Sequence, residues 1–500
     1  MGEMTVQQRG QTAQTLAGQG RLNDALALVE AASASERAAL LPLHIGLLKA
    51  VQQPEGVVAI RRQQLAQAPQ SVVNQHNLAS ALGDAGQHLE AVTHARKALA
   101  LGGNAPETWI VLARSLQALK QTDEALGAFD EVLARRGDYV EAINEKAQLL
   151  WMTGQGAETA RQPLIAALDR YPANPQLLQG LAVFNAYVGM QTHLVVDDLI
   201  ARRNRAGIRD GRLDVAIANL ALEYDAKLAL QYAQSATQVA SNDVAAWSTL
   251  AKCHLVLGHM DEALQILGEL MRVSSHDQVV VALHATAMRV AGRKDPAGLD
   301  DADALVRAAT IDTPQGWSSL PDYLADLKRA LEAQHAFNNH PIGQSLRHGS
   351  QTPVDLRYVD DPAIRAFFTA IDGPIRAYLK ALGTGDDPVR RRNTGDYRVT
   401  GSWSVRLRSG GFHESHIHPK GWISSACYID LPEAVDRGGT EGWIGFGVPP
   451  FELKTPLAPL KVEKPQPGKL VLFPSSMWHG TLPFEDERHR LTIAFDLIPV

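Results

Sequence analysis

The sequence predicts an α+β multidomain chain, with an N-terminal α-solenoid of helix pairs followed by a C-terminal double-stranded β-helix (jelly roll). Three observations carry this. From about residue 10 to 310 the chain is rich in Ala, Leu and Gln and repeats itself at a spacing of about 34 residues. After Tyr397 short segments alternate apolar and polar residues, the period of a half-buried strand. Turn signals punctuate those segments: Ser409-Gly410-Gly411, Gly438-Gly439, Pro449-Pro450 and Pro465-Gln466-Pro467-Gly468. The expected division is 1–310 for the solenoid, 311–395 for a helical connector and 396–500 for the jelly roll.

Two segments define the repeat, Trp109-Ile-Val-Leu112-Ala113 with Asp123-Glu-Ala125-Leu126, and Trp247-Ser-Thr-Leu250-Ala251 with Asp261-Glu-Ala263-Leu264. The interval from Trp109 to Ala125 is the same as that from Trp247 to Ala263, and the two Trp stand close to four whole repeats apart. Leu78-Ala79, Gly86 and Ala91 lie one repeat before Leu112-Ala113, Lys120 and Ala125, and a Gly five before an Ala recurs at Gly20/Ala25, Gly86/Ala91 and Gly258/Ala263. One helix pair cannot bury its apolar stripe alone, whereas stacked pairs can, and small Ala residues let the helices cross closely. This pattern resembles the tetratricopeptide repeat (TPR), with room for roughly seven to eight units and irregular ones around 150–240. The resemblance implies a concave face that takes a protein or peptide partner. Trp109, Phe129 and Trp247 fall at repeat-core positions, and Arg202, Arg203 and Arg205 read as a solvated helix end.

Length and composition narrow the classes. Five hundred residues exceed what one core serves. A net charge of −6 argues against nucleic acid and anionic lipid as partners. Cys253 and Cys427, the two cysteines, stand far apart in the chain and exclude a disulfide framework and a Cys-rich zinc site. Met1 to Gly20 is polar, and no apolar run reaches about 18 residues. The expectation is a cytoplasmic protein with no membrane segment.

Between the two parts the repeat register fades near Lys294-Asp-Pro296-Ala-Gly298. Leu324, Leu327 and Leu331 then mark an amphipathic helix over Leu320 to Ala336. His340-Pro341 to Thr352 reads as a turn-rich loop, and Pro362 to Leu382 as one helix ended by Gly383-Thr-Gly385. Arg390-Arg391-Arg392 reads as a solvated loop.

The chemistry concentrates toward the C-terminal end. On a strand, His416 and His418 point to one face, and His479, well beyond them in the chain, follows a strand ending in Phe473-Pro474. Three imidazoles from two places suit a divalent transition metal with open positions for other ligands. Arg490 and Thr492 are likewise two apart, so a guanidinium fork and a hydroxyl can clamp one carboxylate. Arg406, on the strand before the His pair, is a further candidate for contact with substrate or co-substrate.

These features resemble the iron(II)- and 2-oxoglutarate-dependent oxygenases, and more closely a bacterial and phage branch. Its pattern here reads His416-Ile-His418-Pro419, then Ser424/Ser425 and Tyr428, then Phe473-Pro-Ser475-Ser-Met-Trp-His479, then Arg490-Leu-Thr492. The resemblance implies Fe(II), 2-oxoglutarate and O2 as reactants, Arg490 with Thr492, Tyr428 and Arg406 toward the co-substrate, succinate as product and a hydroxylated C–H. Where the usual third ligand is Asp or Glu, this chain has His418. The third position is then His418, a water as in the aspartyl/asparaginyl β-hydroxylases, which can also join helical repeats to an oxygenase domain, or Glu414. His413 and His489 read as flanking groups, Trp478 as a wall under His479 and Cys427 as a small buried hydrophobe. Two other classes compete: a non-catalytic repeat adaptor with a degenerate jelly roll, and a three-His zinc hydrolase, which has no need of Arg490-x-Thr492.

Overall fold

Pairs of antiparallel helices realise the repeat spacing. The computed structural model describes residues 4–19, 21–295 and 298–500. Gly20 of the Gly/Ala spacing, Pro296 and Ala297 of the fading register and the first three residues lie outside the described residues. The chain divides into two compact units, one ending at Gly137 and one running from Asp138 to Pro499.

In the first unit, successive pairs open with helices Val72–Asp84 and Pro106–Ala118. In the second they open with Val140–Met152, Pro175–Tyr187, Gly211–Ala221, Val244–Leu257 and Gln278–Val290, so the starts keep close to the repeat length throughout. The small residues sit at the crossings: Ala79, Ala91, Ala113, Ala125, Ala251 and Ala263 are fully buried, as is Phe129. Gly86 and Gly258 adopt left-handed φ of 71° and 73°, and Lys120 takes the same turn at 62°, a conformation that disfavours any side chain with a Cβ. One expectation fails here. Arg203 is not solvated, because its Nε and Nη2 donate to the Asp214 carboxylate at 2.7 and 3.0 Å. Asp214 is fully buried and also accepts from Ser235 Oγ at 2.6 Å. Among the described residues no helix is long and apolar enough to cross a membrane.

The second unit also holds an antiparallel jelly-roll sheet. Its strands are β1 (Arg307–Thr310), β2 (Leu346–Gln351), β3 (Tyr397–His416), β4 (Ile423–Asp430), β5 (Ile444–Phe446), β6 (Lys461–Glu463), β7 (Lys469–Pro474), β8 (His479–Thr481) and β9 (Arg490–Pro499). The order is β1-β7-β4-β9-β3-β8-β5-β6, with β2 also on β3. The turn expected at 409–411 is a bend inside the single long strand β3, which pairs with β9 along 397–407 and with β8 at 413–416. Gly410 has φ 72°, and a Cβ on Gly411 would meet Arg408 O at 2.5 Å. The expected loop at 346–351 is strand β2. His348 bulges at φ 52°, and Gly349 lies so close to β3 that a Cβ would meet Arg406 O at 2.6 Å. Edge strand β1, on β7, has no counterpart in the sequence reading.

The helix expected over 362–382 is two, Pro362–Ala370 and Asp372–Leu382. Pro374 has no N–H for the Ala370 carbonyl, and Asp312 N donates to that carbonyl instead, at 2.9 Å. These helices and Leu320–Glu332 cover one sheet face through Leu327, Phe367 and Ile375, packed on Cys427, Ile493 and Phe495. Alternation along β9 then decides everything on the other face. Ile493, Phe495 and Leu497 go into the core, while Arg490, Thr492, Ala494 and Asp496 face a cavity.

Repeat helices of the same unit grip the loops around that cavity. Trp151 Nε1 donates to His340 O at 3.0 Å, Met152 O accepts from Asn338 N at 2.9 Å, and the Arg347 guanidinium lies 4.8 Å over the Tyr187 ring. Further along, Arg289 donates to Gly447 O and, at 2.9 Å, to Ala458 O.

Candidate functional site

Strands β9, β3 and β8 are neighbours, and their register builds one cavity of about 720 Å³. Across β3 and β9, Trp403 faces Ala494, Val405 faces Thr492 and Leu407 faces Arg490. Across β3 and β8, His416 pairs directly with His479, and their rings lie 4.2 Å apart. His418 stands two residues past the end of β3, held by its N–H to Ser475 O at 2.9 Å. One ring nitrogen from each of His416, His418 and His479 lies within 4.8 Å of the others.

Hydrogen bonds fix which nitrogen each ring turns inward. Glu414 O accepts from His416 Nδ1 at 2.8 Å, Met477 O accepts from His479 Nδ1 at 2.9 Å, and the Asp496 carboxylate accepts from His418 Nδ1 at 2.6 Å. Acceptors of these kinds place the proton on Nδ1 and leave Nε2 bare. The Nε2 atoms of His416 and His418 are only 3.2 Å apart. Burial, then the neighbouring His418, lowers the His416 pKa to about 4. Burial, then His416 and His418, holds His479 well below the usual histidine range. Three imidazoles oriented in this way are a fitting donor set for a divalent metal.

At the other end of β9, Arg490 is 2% exposed. Its Nε donates to Gly442 O at 3.1 Å, and its guanidinium lies 5.0 Å over the Tyr428 ring. No acidic side chain forms an ion pair with it among the described residues. Burial pulls its pKa down, while burial pushes Tyr428 up to about 12 against the pull of the Arg490 charge. A buried guanidinium without a counter-charge is costly, and a ligand carboxylate fits it. Thr492 lines the cavity beside it, with its hydroxyl 3.4 Å from Val405 O.

Several expected residues stand elsewhere. Arg406 is not on the cavity face: Trp403 and Val405 point inward, so strand alternation sends Arg406 to the opposite side of β3. Glu414 lines the cavity but is exposed and tied to Arg347 at 2.7 Å, outside the three-nitrogen group. Trp478 faces away from the cavity and donates to Thr286 Oγ1 at 3.0 Å on a repeat helix. His413 does line the cavity, bonded to Ser345 Oγ at 3.0 Å and stacked on His416 at 5.8 Å.

Sequence reasoning missed Asp496, Ser345, Trp403 and Tyr187. Asp496 was within reach, since it continues the even-numbered face of Arg490 and Thr492. No local pattern announces Ser345 or Tyr187, which come to the cavity only through tertiary packing.

Residues 401–496 match the family described as "Putative 2OG-Fe(II) oxygenase", and residues 220–286 match the tetratricopeptide repeat family. No curated protein matches the chain. Among solved structures, the APC/C hetero-tetramer Cut9-Hcn1 is 14% identical over 55% of this chain and 55% of its own, at TM-score 0.31. The chain thus spans about half the length of that structure. Pseudomonas aeruginosa pilF is 17% identical over 43% of this chain and 96% of its own, at TM-score 0.31. A Pseudomonas putida prolyl-4-hydroxylase is 16% identical over 40% of this chain and 97% of its own, at TM-score 0.27. The chain therefore carries a tetratricopeptide repeat region and, over residues 401–496, a domain of that oxygenase family.

Proposed function

We propose that the chain is an Fe(II)/2-oxoglutarate-dependent dioxygenase that hydroxylates a protein, peptide or partner-delivered substrate in the cytoplasm. In this reading 1–310 is the repeat array that recruits a partner, 311–395 the connector and 396–500 the catalytic core. The observation that carries it is the pairing, in one cavity, of three inward-facing Nε2 atoms with a buried guanidinium that lacks an acidic partner among the described residues. A zinc hydrolase would account for the first and not the second.

His416, His418 and His479 would hold the metal through Nε2, each oriented by an acceptor at Nδ1. Arg490 and Thr492 would hold the distal carboxylate of 2-oxoglutarate, with Tyr428 supporting the guanidinium from behind. Bound there, Fe(II) with 2-oxoglutarate and O2 supplies decarboxylation to succinate and CO2 and transfer of one oxygen atom into a substrate C–H. The chain's own contribution is positioning and exclusion of water. Trp403 stacks on His418 at 5.7 Å, and Phe473 lies 4.5 Å from His479, so both rings are walled on an apolar side. Tyr187, from repeat helix Pro175–Tyr187, lines the same cavity, which supports a direct role for the array at the substrate mouth.

The test is anaerobic titration of metal-free protein with Fe(II) and 2-oxoglutarate, following the metal-to-ligand absorption band. The band is expected in the wild type and lost in His479→Ala. Its absence from the wild type at saturating reagents, with zinc retained instead, would overturn the assignment.

A further inference from the structure

Two of the three candidate ligands lean on neutral main-chain carbonyls, Glu414 O and Met477 O. Only His418 leans on a carboxylate, Asp496 Oδ1, at 2.6 Å. We propose that Asp496 is a positioning residue that supplies, through His418, the negative charge that a three-histidine donor set lacks. The inference rests on the proposed metal site.

The surroundings hold Asp496 for this contact. Ser424 Oγ donates to Asp496 Oδ1 at 2.7 Å and bonds Ser475 Oγ at 2.8 Å, and Ser475 O accepts the His418 N–H at 2.9 Å. The carboxylate and the imidazole are 16% and 12% exposed, dry enough for charge to act at short range. Gly421 makes room for this cluster, since a Cβ there would come within 3.4 Å of Asp496 Cγ and collide with Ser475 Oγ. Trp403 stacks on one face of the His418 ring, which adds an apolar wall to the contact with Asp496.

Charge balance gives the arrangement its purpose. A dication and Arg490 bring three positive charges into one cavity, and a bound dicarboxylate brings two negative ones. One positive charge remains, and of the two acids that line the cavity Glu414 is exposed and paired with Arg347, which leaves Asp496, bonded to a candidate ligand, to cancel it. Uncompensated buried charge is expensive, and a carboxylate on the far nitrogen of a ligating imidazole raises its basicity.

The test compares Asp496→Asn, which keeps an oxygen acceptor for His418 Nδ1–H and removes the charge, with Asp496→Ala and the wild type. Fe(II) and Co(II) dissociation constants are measured anaerobically without 2-oxoglutarate, alongside the Co(II) ligand-field spectrum and the thermal midpoint. Metal binding weaker by about 10- to 100-fold in Asp496→Asn, with a shifted Co(II) spectrum and an unchanged midpoint, is the expected result. Wild-type affinity in Asp496→Asn overturns the inference, and so does wild-type affinity in His418→Ala, since His418 would then not be a ligand. A wild type that binds metal and shows no 2-oxoglutarate band would sink the oxygenase assignment and leave the Asp496 comparison decisive on its own. A wild type that binds no metal overturns both.

Discussion

Replacing Arg490 with Met should move binding and stability in different directions, because the two depend on the guanidinium in different ways. In the folded protein the group is 2% exposed, donates to Gly442 O at 3.1 Å and lies 5.0 Å over Tyr428. Dehydrating the charge costs several kcal/mol. The charged hydrogen bond returns about 1.5–3 kcal/mol and the ring contact about 1–2 kcal/mol. Met, of similar length and uncharged, gives up both returns and leaves one carbonyl unpaired, and it also removes the dehydration cost. The net change in unfolding free energy of the ligand-free protein should lie within about 2 kcal/mol of zero. The co-substrate loses a charge-assisted fork instead. Truncating one partner of a buried charged pair costs about 2–5 kcal/mol, and at about 1.4 kcal/mol per decade that is a drop of roughly thirtyfold or more. Calorimetric titration of 2-oxoglutarate into anaerobic Fe(II)-loaded protein reads the second quantity, and urea unfolding of the metal-free protein reads the first. A dissociation constant within threefold of wild type refutes the anchor role. A stability loss above about 3 kcal/mol, the usual cost of breaking a buried pair, would make Arg490 a structural residue instead.

Acid should weaken the fold through His340, whose pKa is lowered from 6.5 to about 4 by burial and by the charges of Arg347, His348 and Arg408. The unfolded chain takes up this proton first, so the contribution is full above pH 6.5 and shrinks by about 1.4 kcal/mol per unit as pH falls toward 4. His340→Phe, which keeps a ring beside Trp151, should flatten that slope in urea midpoints taken at pH 7 and pH 5, and an unchanged slope would exclude His340 as its source. Ala494→Leu should fill the cavity floor between Thr492 and Asp496. Overpacking of about 1–3 kcal/mol would weaken 2-oxoglutarate roughly fivefold to a hundredfold in the same calorimetric titration while leaving Fe(II) affinity unchanged, and equal losses for both ligands would count against a co-substrate channel over Ala494.

Much of this is legible in residue spacing, and what is not has identifiable causes. The Ala positions of the repeat follow from close helix crossings, which tolerate nothing larger, so spacing alone places Ala79, Ala113 and Ala251 in the core where they are found. Arg490 and Thr492 share a face because strand parity leaves no alternative. The same parity, applied to Arg406 against Val405, would remove Arg406 from the site, but which parity faces inward depends on the helices that cover the other side. Gly349 and Gly410 read as turns because Gly usually signals one. Here each permits close strand approach or a bend within a strand, a distinction set by the partner strand and not by local sequence. The break at Ile371 is readable from Pro374, whereas the Asp312 N–H that takes the Ala370 carbonyl is not. Arg203 reads as solvated because its partner, Asp214, lies on the next helix.

The division of labour around the cavity follows from which elements can be rigid. His416, His479 and Arg490 stand on β3, β8 and β9, three strands joined edge to edge, and His418 is pinned just beyond β3 by Ser475 O and Asp496. A metal and a dicarboxylate demand that geometry to within a fraction of an ångström, and a hydrogen-bonded sheet supplies it. The mouth is built otherwise. Ser345 comes from the loop after His340, Pro450 from the loop after β5 and Tyr187 from a repeat helix, and both loops are held by main-chain contacts to the array, at Met152 O and through Arg289. Of these, Ser345 reaches the histidines, 3.0 Å from His413 Nδ1 and 3.3 Å from His416 Nε2. If the proposed function holds, substrate choice would rest on surfaces that repeat helices help to shape, and the chemistry on side chains that the sheet fixes.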